Sequence, residues 1–77
     1  MKYKLLKKDT QKLAILIEAD KVKLWVDYWE TEDGIEWDFN QYIFCDYSDS
    51  DQLIKETQDK IYEDVENFDN FIMNCFN

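Results

Sequence analysis

The chain has 77 residues, with 9 Lys or Arg against 18 Asp or Glu, so its formal net charge is −9. It contains no His, which excludes Ser-His-Asp and Cys-His catalysis and His-ligated zinc. Its single glycine, Gly34, excludes a glycine-rich phosphate loop. An aromatic content of 17% is too high for a disordered acidic tail, so the composition predicts one small folded domain over residues 1–77.

Four or five strands are predicted in chain order. Residues 2–8 alternate weakly, residues 12–18 are largely apolar, and residues 22–29 alternate with a period of two. The Asp33-Gly34 dipeptide, which is typical of hairpin turns, separates this third strand from residues 35–39. Residues 41–47 predict a fifth strand, or a continuation of the fourth after a bulge.

After Asp51 the apolar period changes to about 3.6. The pattern predicts one amphipathic helix over residues 50–75, with Ser48 or Ser50 as its N-cap. Its apolar stripe consists of Ile54, Thr57, Ile61, Val65, Phe68, Ile72 and Cys75. We therefore expect an α+β fold, an antiparallel sheet of four or five strands followed by one long C-terminal helix packed on one face.

The third predicted strand carries two different faces. Val22, Leu24, Val26 and Tyr28 form a face that suits a helix, whereas Trp25 and Trp29 point to the other side. Because one helix cannot cover both faces, we expect one or both tryptophans to be exposed as an apolar anchor for a partner or a second copy of the chain. The alternative is that both rings lie half-buried on the open face.

The charge is divided unevenly along the chain. Residues 1–24 hold seven Lys and three acids, a charge of +4, and residues 25–77 hold two Lys and fifteen acids, a charge of −13. On one continuous helix, a set of acids would share the side opposite the apolar stripe: Glu56, Asp59, Glu63 and Glu66. Further acids surround the hairpin turn (Glu30, Glu32, Asp33, Glu36, Asp38) and precede the helix (Asp46, Asp49, Asp51). These surfaces are either simply solvated or shaped to enter a Lys- and Arg-lined groove.

Other chemistries are not expected. Asp49-Ser50-Asp51 begins like a calcium loop, but Leu53 stands at its fifth position and no glycine follows, so we predict no metal site and no cofactor. Paired-carboxylate hydrolysis needs a cleft that one helix on a small sheet does not offer, so we expect no enzyme. Direct nucleic-acid binding through the basic N-terminal strand would be opposed by the remaining charge. With no long apolar run and no recognisable signal peptide, we expect a cytoplasmic protein that does not bind membranes.

In its small size, its −13 segment and its sheet-then-helix order, the chain resembles small phage-encoded inhibitors of the anti-CRISPR and DNA-mimic type. The resemblance implies a non-enzymatic inhibitor that binds the basic nucleic-acid-binding surface of a defence nuclease or effector complex in a bacterial host. The expected partner surface comprises Glu56, Asp59, Glu63, Glu66, Glu30, Glu32 and Asp33, with Trp25 and Trp29 as anchor. One alternative is an immunity protein that neutralises a toxin nuclease. Another is a small structural or adaptor module that forms a homodimer through Trp25 and Trp29.

Overall fold

The computed structural model describes residues 1–39 and 50–76 and has an α+β fold. Its strands are β1 (Tyr3–Asp9), β2 (Ala14–Ala19), β3 (Val22–Thr31) and β4 (Gly34–Asp38), and its helices are α1 (Asp51–Tyr62) and α2 (Val65–Cys75). The strands pair antiparallel in the order β1-β2-β3-β4, which confirms the four predicted strands. The predicted strand over residues 41–47 lies outside the described residues.

Local sequence sets the three strand connections. After β1, the Asp9 carboxylate accepts the backbone N–H groups of Gln11 and Lys12, which closes the chain on itself. Between β2 and β3, Asp20 and Lys21 form a two-residue turn with φ values of 47° and 74°, as a tight hairpin requires. Between β3 and β4, Gly34 supplies the positive φ of 131°, so the dipeptide with Asp33 does mark a hairpin.

Both helices lie on one face of the sheet, where the main core is buried. The core joins the predicted inward residues of β2 and β3 to the helices: Ile15, Ile17, Ala19, Leu24, Val26, Tyr28, Ile61, Phe68 and Ile72. Ile35, Trp37 and Phe39 pack against it from β4 and the segment beyond, as their alternation predicted. Since this core extends from β1 to β4, it holds both helices in a fixed position on the sheet.

The prediction of one long helix is wrong. Helix α1 ends at Tyr62, and α2 begins at Val65 after Asp64 adopts non-helical angles of φ −122° and ψ 33°. The Asp64 carboxylate accepts hydrogen bonds from the Tyr3 hydroxyl at 2.8 Å and from the Asn67 side chain at 2.7 Å, so contacts to β1 and α2 hold the break in place. One consequence is that Val65, predicted to be apolar core, is 40% exposed.

The start of the helical region was predicted more closely. Ser50 is the N-cap of α1, with its hydroxyl 3.5 Å from the Leu53 backbone nitrogen. Four members of the predicted stripe, Thr57, Ile61, Phe68 and Ile72, are buried. The Thr57 hydroxyl donates to the Leu53 carbonyl at 2.7 Å, which satisfies this polar group inside the helix layer.

Candidate functional site

The four helix acids predicted as one stripe are exposed but do not share one helix. Glu56 and Asp59 lie on α1, Glu63 is the residue at its C-terminal end, and Glu66 lies in the first turn of α2. The regular spacing expected of one continuous helix therefore ends at Asp64. The acidic helix surface therefore has two parts, one on α1 and one on α2. Glu56 and Asp59, both on α1, keep the spacing of one helix.

The predicted hairpin acids lie together at one end of the sheet. Glu30, Glu32 and Asp33 are exposed at the β3–β4 turn. The Thr31 hydroxyl fixes this turn, since it donates to the Gly34 carbonyl and accepts the Asp33 backbone N–H, both at 3.2 Å. The three carboxylates therefore project from an ordered tip.

The two tryptophans of β3 have different environments. Trp29 is 41% exposed, which agrees with the expectation that at least one indole is on the surface. Trp25 is only 6% exposed and forms a second buried cluster with Ala14 and Leu16, on the sheet face away from the helices. Trp25 is therefore a packing residue, and its assignment as an exposed anchor is corrected, whereas Trp29 keeps an accessible ring.

The same face of the sheet divides by charge. Near β1, the cross-strand row Lys4, Glu18, Lys23 alternates in sign. Near β4, Asp27 stands directly opposite Asp38, and Glu36 stands opposite Trp29. The β4 side of this face is therefore acidic, whereas the β1 side has mixed charge.

An aromatic and acidic surface, missed from the sequence, lies where β4 meets the helices. Trp37 stacks on Tyr62 with ring centroids 6.0 Å apart and an interplanar angle of 26°, and Tyr62 is 53% exposed. The Trp37 indole N–H donates to the Asp69 carboxylate at 2.6 Å, and the Tyr62 hydroxyl lies 3.5 Å from the Asp38 carboxylate. We call these four residues the Trp37 edge. Burial, the charge and hydrogen bond of Asp38 and the charge of Asp59 all raise the pKa of the Tyr62 phenol.

An open groove of about 430 Å³ adjoins the Trp37 edge. It runs between β4 and α2, and its lining residues are Ile35, Glu36, Trp37, Asp69 and Met73. Next to it, a side chain placed on Gly34 would be in ordinary contact with Met73, at 3.8 Å. The described walls of the groove therefore combine apolar side chains, an indole and two carboxylates, and they include no Lys.

The sequence carried a partial signal for this surface. Glu36 and Asp38 were recognised as acids near the hairpin, and Trp37 as a residue that shares a face with Ile35 and Phe39. The contact with Asp69 was hidden because a single straight helix would rotate residues beyond position 63 away from their observed directions. Only the break at Asp64 brings Asp69 to the Trp37 indole.

The break at Asp64 also holds an ion pair. It joins the N-terminal ammonium to the Asp64 carboxylate at 3.7 Å. The pKa of Asp64 is lowered by the Tyr3 hydroxyl, by Asn67 and by that ammonium.

Elsewhere, burial raises the pKa of the Cys75 thiol, which is a free cysteine at the end of α2.

Within the described part of the chain, no three acidic or cysteine side chains lie close enough together to hold a metal ion. No helix among those residues is both long and apolar enough to cross a membrane. Searches of known protein families, curated proteins and solved structures found no match.

Proposed function

We propose that the protein is a non-enzymatic inhibitor whose acidic surface occupies the basic nucleic-acid-binding groove of a nuclease or effector complex. One observation carries the proposal. Within residues 25–39 and 50–76, eleven of thirteen carboxylates are exposed, so most of the negative charge of this segment faces the surface. These eleven are Glu30, Glu32, Asp33, Glu36, Asp38, Asp51, Glu56, Asp59, Glu63, Glu66 and Asp69.

Such a surface suits a partner that normally binds phosphates. Exposed carboxylates steer the approach of a Lys- and Arg-rich protein and make charge-assisted hydrogen bonds with it. Asp27 and Asp38, paired across β3 and β4, add negative charge on the same side of the sheet. Trp29, exposed opposite Glu36, supplies an apolar contact next to the acids.

A capture experiment tests the proposal. The immobilised protein is incubated with lysate of the producing organism, bound proteins are eluted with a salt gradient, and the main eluted protein is purified. We expect it to bind DNA or RNA and to lose that ligand when the inhibitor is added. Release should occur well below about 1 M salt, where the Debye length falls to about 3 Å. A captured partner that does not bind nucleic acid, or one that stays bound at such salt, would contradict the proposal.

Two variants of equal net charge locate the surface. Asp59→Asn with Glu63→Gln removes two acids at the end of α1, and Thr10→Lys with Gln11→Lys adds two positive charges at the exposed β1–β2 turn. Both change the net charge from −9 to −7. We expect the first pair to weaken target binding about tenfold and the second to change it little, because local carboxylate pairing matters more than net charge. Equal effects from both variants would show that the α1 acids make no specific contact.

A further inference from the structure

We propose that the groove between β4 and α2 is a binding slot for one arginine side chain of the target. The inference deepens the proposed function and rests on it for the identity of the target, but it concerns a defined site that can be tested separately. Its occupant is a long cationic side chain with a planar end, and the chemistry of the groove walls selects it.

The walls of the groove match the two parts of an arginine. Ile35 and Met73 supply aliphatic surface for the methylene stem, which side chains of this kind bury while the charged end is held elsewhere. Glu36 from β4 and Asp69 from α2 also line the groove and bring negative charge to it. Asp69 is bonded to the Trp37 indole, whereas Glu36 alternates with Ile35 and Trp37 along β4 and therefore lies at the edge of the groove.

Asp69 is held in a fixed direction before any partner arrives. The Trp37 indole N–H donates to its Oδ1 atom at 2.6 Å, and Trp37 is in turn packed edge-on against buried Phe68, with centroids 4.6 Å apart. The other oxygen of Asp69 remains available as an acceptor. A carboxylate fixed in this way loses little conformational entropy on binding, which favours a directed contact over diffuse attraction.

The aromatic ring favours arginine over lysine. A guanidinium is planar, stacks on indole faces and binds carboxylates through two parallel hydrogen bonds, whereas an ammonium is a compact and strongly hydrated charge. Trp37 lines the groove beside the Asp69 carboxylate, so an aromatic ring and an acceptor for a guanidinium are offered at one place. The groove volume of about 430 Å³ is within the range of small-ligand sites, about 300–1,000 Å³.

Nuclear magnetic resonance of the three indole N–H groups provides the test. The full chain is labelled with ¹⁵N, and the signals of Trp25, Trp29 and Trp37 are assigned by Trp→Phe variants. The probes are N-acetyl-arginine methylamide, its lysine equivalent and its citrulline equivalent, which keeps the shape of arginine without the charge. We expect arginine to shift the Trp37 signal at the lowest concentration, lysine at a higher one, and citrulline not to shift it.

Variants distinguish the slot from general electrostatic attraction. Glu36→Gln with Asp69→Asn removes both charges of the groove, and the amide oxygen introduced on α2 can still accept the indole hydrogen bond. Thr10→Lys with Gln11→Lys changes the net charge equally at the β1–β2 turn and serves as the matched control. We expect the first pair to weaken arginine binding about tenfold and the control to leave it within about twofold.

Three results would contradict the proposed slot. The Trp37 signal does not shift with the arginine probe, it shifts equally with the citrulline probe, or the two double variants lose the same amount of affinity for the arginine probe. The proposed function is judged separately, by whether the captured target loses its nucleic acid. If the arginine probe does not bind the groove but the protein still displaces nucleic acid from its target, the helix acids are the recognition surface.

Discussion

Replacing each β3 tryptophan with alanine should separate a packing residue from a surface residue. Trp25 is 6% exposed within the cluster it forms with Ala14 and Leu16, whereas Trp29 is 41% exposed. Truncating a buried tryptophan costs about 3–5 kcal/mol through lost transfer free energy and the resulting cavity. The Trp29→Ala change removes a half-covered ring and leaves no enclosed cavity, so we expect a cost of about 1 kcal/mol.

These values are large on the scale of this domain. At about 0.05–0.15 kcal/mol per residue, a chain of 77 residues has a free energy of unfolding of about 4–12 kcal/mol. Trp25→Ala should therefore remove a quarter or more of the total, and it would unfold the protein if stability is at the low end. For a domain of this size, a loss of about 3 kcal/mol lowers Tm by about 12 °C or more.

Urea unfolding followed by far-ultraviolet circular dichroism measures both variants, since it does not depend on tryptophan emission. Trp25→Phe is added to keep a folded reference if Trp25→Ala does not fold. A Trp25→Ala protein within about 0.5 kcal/mol of the parent chain, or equal losses in both alanine variants, would refute the assignment of Trp25 to packing. The same proteins test the homodimer alternative by native mass spectrometry. If the chain dimerises through this face, Trp29→Ala should yield monomers and Trp25→Phe should not.

Three further predictions concern stability. Lys21→Gly should raise the free energy of unfolding by about 0.5–1 kcal/mol, because φ is 74° there and glycine adopts it without strain; urea midpoints check this. The Tyr3 hydroxyl lowers the pKa of Asp64, so the carboxyl of Asp64 has a lower pKa in the folded chain than in the unfolded chain. Ionisation of Asp64 therefore stabilises the fold above about pH 4. The stability advantage of the parent chain over Asp64→Asn should thus be constant near neutral pH and shrink as the pH falls below about 4, in urea titrations at several pH values. Lys8→Met should lower the free energy of unfolding by about 1 kcal/mol, because it removes the ammonium that lies 4.3 Å from the Phe76 ring centre and keeps the apolar stem. Urea unfolding measures this loss.

The sheet was predictable from sequence because period-two alternation and turn chemistry agree. Val22 to Tyr28 alternate without interruption, and Asp33-Gly34 marks the following turn, so the strands and their faces follow from local rules. The Asp20-Lys21 turn shows where those rules stop, since neither residue is glycine although both have positive φ. The adjacent β-strands require that geometry, and nothing in the local residue types indicates its strain.

The helix break was not predictable because it depends on a contact from a distant part of the chain. Ile61, Val65, Phe68 and Ile72 have the spacing of one continuous helix. The competing effect is the Asp64 carboxylate, which binds the Tyr3 hydroxyl 61 positions earlier in the sequence. The apolar periodicity of the sequence does not indicate such a hydrogen bond. The position of Asp69 beside Trp37 depends on the helix break that this bond stabilises.

The lysines of β1 have an explanation in the fold itself. In the described sheet β1 is an edge strand, and it carries Lys4, Lys7 and Lys8 together with a register shift between Leu5 and Lys7. Lysines and bulges on an edge strand prevent pairing with another chain, so the +4 segment fits a need of the fold itself. Some later carboxylates also have structural roles, since Asp38, Asp64 and Asp69 accept hydrogen bonds from Tyr62, Tyr3 and Trp37. The charge that binding has to explain is therefore that of the remaining exposed acids at the β3–β4 turn and on the helices, which the net charge of −9 does not reveal.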